Sequence, residues 1–188
     1  MPVLTIDVPI LETARLTLCG HRAEDLEDAF ALWSDPRVTR HIGGKPLGRE
    51  EVWARLLRYL GHWGLSGYGF WQIRERASGR FVGEVGLADF KRDIAVPFDG
   101  APEAGWVLAP WSHGNGYATE AVTAALTWIA AAGHLRTVCL VEPSNAASLR
   151  VAAKCGYREL ARTSYKTEEV VVFERNAAAS GAVPSAPR

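Results

Sequence analysis

Gly114 and Gly116 lie in the stretch His113-Gly-Asn-Gly-Tyr-Ala-Thr119, directly before a run whose apolar residues Val122, Ala125, Leu126 and Ile129 share one helical face. Gly133 is placed to end that helix. The first N–H groups of a helix lack intrahelical partners and carry the positive end of its dipole. A loop without side-chain bulk at that point is therefore suited to cradle a phosphate. Upstream, Glu103 to Ala109 reads as a strand, and downstream so does Thr137 to Val141, giving a strand-loop-helix-strand unit. Two common phosphate loops share this layout and neither fits. A dinucleotide fingerprint from Gly114 needs glycine where Thr119 stands, and a Walker A loop needs Gly-Lys followed by Ser or Thr.

A third pattern fits better. His113 to Ala118 resembles the acyl-CoA loop Q/R-x-x-G-x-G/A of the GCN5-related N-acetyltransferases (GNAT), with Gly116 and Ala118 in the fixed places and His113 where Gln or Arg is usual. Further on, Asn145-Ala-Ala-Ser148-Leu-Arg-Val-Ala-Ala-Lys154-Cys-Gly156-Tyr157 is similar to the N-x-x-S-x-x-x-x-x-K-x-G-F/Y segment of the RimJ/RimL-like branch, which acetylates ribosomal-protein N-termini. Trp111, the run Tyr117-Ala-Thr-Glu-Ala121 and Glu103-Ala-Gly-Trp106 stand in the matching order, so the resemblance extends from about Leu11 to Glu174.

The resemblance implies an α/β (α+β) GNAT fold: a mixed, mostly antiparallel seven-stranded sheet with a splayed central parallel pair, and about four helices. It implies acetyl-CoA as acyl donor, no metal, and transfer to a primary amine by direct attack in a ternary complex. The amine would belong to a protein N-terminus or a small molecule. Backbone groups near Val107 and Leu108 would hold the pantetheine arm and the thioester oxygen. The pyrophosphate would reach His113, Gly114, Asn115, Gly116, Tyr117, Ala118 and Thr119.

Acetyl transfer needs a proton acceptor for the amine, polarisation of the carbonyl, and a proton for the leaving thiolate. Glu103, leading its strand, is the candidate base; an ordinary edge carboxylate is the plain alternative. Glu84, in Gly83-Glu-Val-Gly86, is the second carboxylate, with a strand-face role the simpler one. Ser148 stands where many acetyltransferases have Tyr; its hydroxyl would bond the departing sulfur, or merely cap the helix. Asn145 suits the pantetheine amides, and Lys154 and Arg150 the phosphates. Trp33, Trp53, His62, Trp63, Tyr68, Phe70 and Trp71 are candidates to wall the acceptor cleft, most of them better explained as core.

At 188 residues, 48% hydrophobic and 22% charged, the chain has the mass for one continuous core. One domain is expected over residues 1–175, with a disordered Ala/Ser/Gly/Pro tail over 176–188. Formal net charge is zero, so no electrostatic grip on nucleic acid or membrane is indicated. A monomer or homodimer is expected. Cys19, Cys139 and Cys155 lack metal-ligand spacing and read as reduced core thiols of a cytoplasmic protein, and no signal peptide or span is apparent. Alternation places the first strand at Arg15 to Leu18. The hairpin strands run from Phe70 to Arg74 and Arg80 to Phe90, and the last pair from Tyr157 to Tyr165 and Glu169 to Glu174. Helices are expected from about Ala23 to Asp35-Pro36, from Arg49 to Leu60 with Trp53, Leu56, Leu57 and Leu60 inward, and from Asn145 to Lys154. Gly61, Gly64, Gly67 and Gly69 then read as a flexible connection. Two other readings remain: a CoA-binding sensor without turnover, and a transferase of the same fold using another acyl-CoA or an O-acceptor.

Overall fold

The computed structural model describes residues 6–178. Its strands are β1 (Leu11–Glu12), β2 (Leu16–Cys19), β3 (Phe70–Glu75), β4 (Phe81–Ala88), β5 (Glu103–Leu108), β6 (Arg136–Val141), β7 (Arg158–Tyr165) and β8 (Glu168–Asn176). The helices are α1 (Leu26–Trp33), α2 (Pro36–Thr39), α3 (Arg49–Ser66), α4 (Tyr117–Ala131) and α5 (Ala146–Lys154). One eight-stranded sheet orders the strands β1-β2-β3-β4-β5-β6-β8-β7. Among the described residues, only β5 and β6 pair in parallel.

The mixed, mostly antiparallel sheet with a central parallel pair is the expected one, with eight strands in place of seven and five helices in place of four. The added strand is β1, whose Leu11 and Glu12 pair with Leu18 and Thr17. Two residues are too few for alternation to register. The added helix is α2. Asp35-Pro36, expected only as a stop, also starts this turn: proline tolerates the first helical position, and the Asp35 carboxylate accepts from the Arg37 N–H.

α3 departs most from expectation, since Gly61 and Gly64 lie inside it rather than in a flexible connection. Its buried residues are Val52, Leu56, Tyr59 and Trp63, an i, i+4, i+7, i+11 stripe that continues past Leu60. Each interior glycine costs about 1 kcal/mol against alanine, whereas burying one large apolar side chain contributes about 1.5–3 kcal/mol. The helix therefore runs on until Gly67, whose left-handed φ of 72° closes it. The stripe is also rotated from the expected face, leaving Trp53 and Leu57 exposed.

Two cores fill the space on either side of the sheet. Trp71, Leu126, Ile129, Val141 and Tyr157 belong to the layer under α4. Trp33, Val52, Tyr59, Phe70 and Phe81 belong to the layer under α1 and α3. Gly86 lets β3 and β4 approach there, since a Cβ on it would lie 2.4 Å from the Gly69 carbonyl oxygen.

β5 and β6 are in register at Glu103 and Val138 alone, where the Val138 N–H donates to the Pro102 oxygen at 3.0 Å. Beyond that point the two strands part, and the sheet is split at their C-terminal ends. At the other edge, β8 continues through Asn176, which pairs with Arg136. The boundary expected after residue 175 thus falls inside a strand. Residues 179–188, most of the expected tail, lie outside the described residues.

Candidate active site

The glycine loop leaves the open end of the split and enters α4. Gly114 and Gly116 have φ of +80° and +78°, the left-handed region that suits glycine. Gly116 is the residue before the helix, and His113 to Gly116 are exposed. Behind the loop, Glu120 of the first turn of α4 is tied to the β1–β2 segment. It accepts from the Thr13 hydroxyl at 2.6 Å, the Arg15 N–H at 2.9 Å and the Arg15 Nε at 2.8 Å. Burial works to raise the Glu120 pKa, but these donors together hold it below the usual carboxylate value. Arg15 also donates to the Asn115 carbonyl at 2.9 Å and lies over the Tyr117 ring. The N-terminus of α4 is thereby anchored to the β1–β2 segment. An open groove of about 600 Å³ lies there, lined by Gly116, Thr119, Thr123 and Lys154 and, from the tether itself, by Thr13 and Glu120.

Backbone direction alternates along a strand, so one residue fixes the rest. The Ala109 N–H donates to Val82 of β4 at 2.8 Å, which turns the odd-numbered residues of β5 toward β4. Trp106 and Leu108 therefore direct their backbone groups at the split, while Val107 belongs to the β4 ladder opposite Glu84. Of the two residues expected to serve the split, Leu108 is the one so turned, and Trp106 joins it. His113 does not point freely outward: its Nε2 lies 3.0 Å from the Leu108 carbonyl oxygen.

The two candidate carboxylates are both engaged. Glu103 stands at the closed end of the split, 5% exposed, with Arg92 Nε at 2.5 Å from one oxygen and Nη2 at 2.6 Å from the other. Burial raises the Glu103 pKa and Arg92 opposes it. Burial is the larger effect, so the Glu103 pKa lies above the usual carboxylate value despite the Arg92 guanidinium. Arg92 in turn lies over the rings of Tyr165 and Phe90. Glu84 is fully buried, and its Oε2 accepts from Trp33 Nε1 at 3.0 Å and the Tyr59 hydroxyl at 2.9 Å. Its Oε1 has no hydrogen-bond partner among the described residues and lies 3.6 Å from His21 Nε2.

At the far side of the split, Asn145 caps α5 by accepting from the Ser148 N–H at 3.1 Å. The cap is thus Asn145, and the half-buried Ser148 hydroxyl is left for other work. Lys154, on the last turn of α5, reaches the groove, while Arg150 is exposed on α5 and is not among the groove's residues. Just before α5, Glu142 meets His41 from the turn after α2: His41 Nδ1 is 2.9 Å from Glu142 Oε2. The Ser144 hydroxyl donates to the other carboxylate oxygen. Ser144 and His41 hold the Glu142 pKa below its usual value against partial burial.

The aromatic candidates for an acceptor wall are mostly core. Trp33, Trp63, Tyr68, Phe70 and Trp71 are buried, and Trp53 faces outward on α3, away from the stripe that packs on the sheet. His62 is used structurally, with Nδ1 at 2.8 Å from the Tyr68 oxygen and Nε2 accepting from the Asp89 N–H. The free cysteines are structural in character: burial pushes the Cys139 and Cys155 thiols up, away from the reactive thiolate. Arg92, Tyr165, Arg15, Thr13, His41 and Glu142 escaped the sequence reading. Glu120 was seen there only as part of a motif. Their contacts join segments about a hundred residues apart or lie in loops without periodicity, where no spacing rule operates.

A parallel strand pair that parts in front of a bare loop and a helix N-terminus is the layout that the resemblance to the GNAT acetyltransferases implies. Residues 15–158 match the model of the acetyltransferase (GNAT) domain, and the chain belongs to that family. Over 153 residues it is 28% identical to YoaA of Bacillus subtilis (strain 168), an uncharacterized N-acetyltransferase, covering 80% of this chain and 84% of YoaA. A GNAT-family acetyltransferase structure from Bordetella pertussis is 30% identical, with TM-score 0.79 over 89% of this chain and 99% of the other. The ribosomal L7/L12 α-N-protein acetyltransferase RimL, solved with coenzyme A, shares the fold at TM-score 0.76 and 16% identity, covering 92% of this chain and 100% of RimL.

Proposed function

We propose that this acetyltransferase is an acetyl-CoA-dependent N-acetyltransferase of the RimJ/RimL-like kind, transferring acetyl to a primary amine by direct attack in a ternary complex. The observation that carries the reading is the split between β5 and β6, which opens onto a glycine loop with left-handed φ at both glycines. A diphosphate fits this place on physical grounds. The first-turn N–H groups of Tyr117, Ala118 and Thr119 have no helical partner, and no side chain rises from Gly114 or Gly116 to cover them. Asn115 contributes loop backbone. Lys154 supplies a positive charge on the groove, and His113, by holding the Leu108 carbonyl, shapes the entry.

Acetyl-CoA, when bound, supplies the activated acyl group. Leu108 and Trp106 would hold the pantetheine amides by backbone hydrogen bonds, with Asn145 at the opposite lip. The Ser148 hydroxyl would donate to the leaving sulfur. The acceptor is a peptide N-terminus or a small amine. The setting we assign is cytoplasmic, with no nucleic-acid or membrane partner and a monomer or homodimer as the working form.

One observation favours a second reading, a CoA-binding domain without turnover: both Glu103 and Glu84 are taken up by other groups. The full chain incubated with acetyl-CoA and a panel of N-terminal peptides and polyamines separates the two. Thiol release matched by a singly acetylated product in the mass spectrum is expected. Tight acetyl-CoA binding with no release from any amine would establish the sensor instead.

A further inference from the structure

The amine must lose a proton before it attacks, and the carboxylates that stand nearest in the sheet are poorly placed to receive it. Glu103 is at the closed end of the split with a guanidinium on both oxygens. Glu84 is buried behind Trp33 and Tyr59. The open end has a different group. Glu142 follows the last residue of β6, four residues beyond Val138, where the two strands have already parted, and so lies at the open end of the split. His41 reaches it from the turn after α2, with the two side chains 18% and 31% exposed.

We infer that His41, oriented by Glu142 and Ser144, is the group that takes the proton of a cationic amine acceptor at the open end of the split. This inference rests on the acetyltransferase reading above. A carboxylate on Nδ1 selects the tautomer protonated there and leaves the Nε2 lone pair as the acceptor site. His41 Nε2 makes no hydrogen bond among the described residues, and Nδ1 is bound on the Glu142 side. Ser144 donates to the second oxygen of Glu142 and so fixes the carboxylate plane. The anionic Glu142 also attracts an ammonium group, with Arg40 the charged neighbour that opposes it. In the reaction, the ammonium gives one proton to His41 Nε2, and the freed lone pair forms the C–N bond as the thioester C–S bond breaks. The second amine proton, lost as the amide forms, ends on the CoA sulfur by way of Ser148 or water.

The test uses the full chain with acetyl-CoA and the best amine of the panel. His41→Gln keeps an amide donor for Glu142, and it is expected to lower kcat roughly a hundredfold while the acetyl-CoA Kd, by calorimetry, stays within about twofold. Glu142→Gln removes the carboxylate that orients the ring and attracts the ammonium. It is expected to lower kcat and to raise the KM of the amine, with the acetyl-CoA Kd again within about twofold. Wild-type turnover in a folded His41→Gln protein, or an unchanged kcat and amine KM in Glu142→Gln, would overturn the assignment and leave the acetyltransferase reading standing. Absence of acetyl-CoA-dependent acetylation by the wild-type chain would overturn both.

Discussion

Arg92 and Glu103 form a bidentate pair, with Glu103 buried and Arg92 half-buried, and such a pair tolerates the loss of one charge badly, because the other is left unmatched in a poorly solvated place. Glu103→Gln is therefore expected to cost about 1–3 kcal/mol of stability while turnover stays within about tenfold, checked by thermal melts and steady-state rates on one preparation. A hundredfold fall in turnover with an unchanged melt would return the base role to Glu103. The presence of a carboxylate at the head of β5 was legible in the sequence. Its occupation was not, since Arg92 comes from a loop without periodicity. Ser148 was legible as well, and the structure removes its competing role by giving the helix cap to Asn145. Ser148→Ala should lower kcat by about tenfold or less, because water can donate in its place, with acetyl-CoA affinity kept. A total loss of turnover would mean that the hydroxyl does more than assist the thiolate.

Helices show how burial overrules local preference. α3 runs through Gly61 and Gly64 because Tyr59 and Trp63 bury against the sheet side, a gain that no count of glycines reveals. Nothing stands within 4 Å of a Cβ placed on Gly61, so Gly61→Ala should stabilise by about 0.5–1 kcal/mol, raising Tm by a few degrees. A neutral or lowered Tm would contradict a continuous α3. α4 was better legible, because its apolar stripe, the loop before it and the glycine after it agree. What the pattern did not show is the tether of Glu120 to Thr13 and Arg15. Since the folded-state pKa of Glu120 lies below the usual value, its contribution is present above the ordinary carboxylate pKa and is lost as pH falls through the lowered one. The Tm gap between wild-type and Glu120→Gln proteins should thus be open at neutral pH and close below about pH 4. A gap that persists in acid would contradict the charge-based tether.

At the scale of the molecule, the order of elements and the position of the cradle were readable because two motifs lie on one strand-loop-helix-strand unit, where spacing maps directly onto space. The split itself is a matter of tertiary register, one parallel pair at Glu103 and Val138. The lip formed by His41 and Glu142 joins residues 101 apart in sequence. Neither leaves a local trace. The central claim is that the first turn of α4 holds the diphosphate of acetyl-CoA, and Thr119→Glu tests it without the backbone strain that a side chain at Gly116 would bring. An acidic residue in the first turn suits the helix dipole, so folding should be kept or improved. The same charge repels a phosphate. Calorimetry of the folded variant is expected to show acetyl-CoA bound at least tenfold more weakly than by the wild type, about 1.4 kcal/mol; affinity unchanged in the folded variant would contradict the cradle.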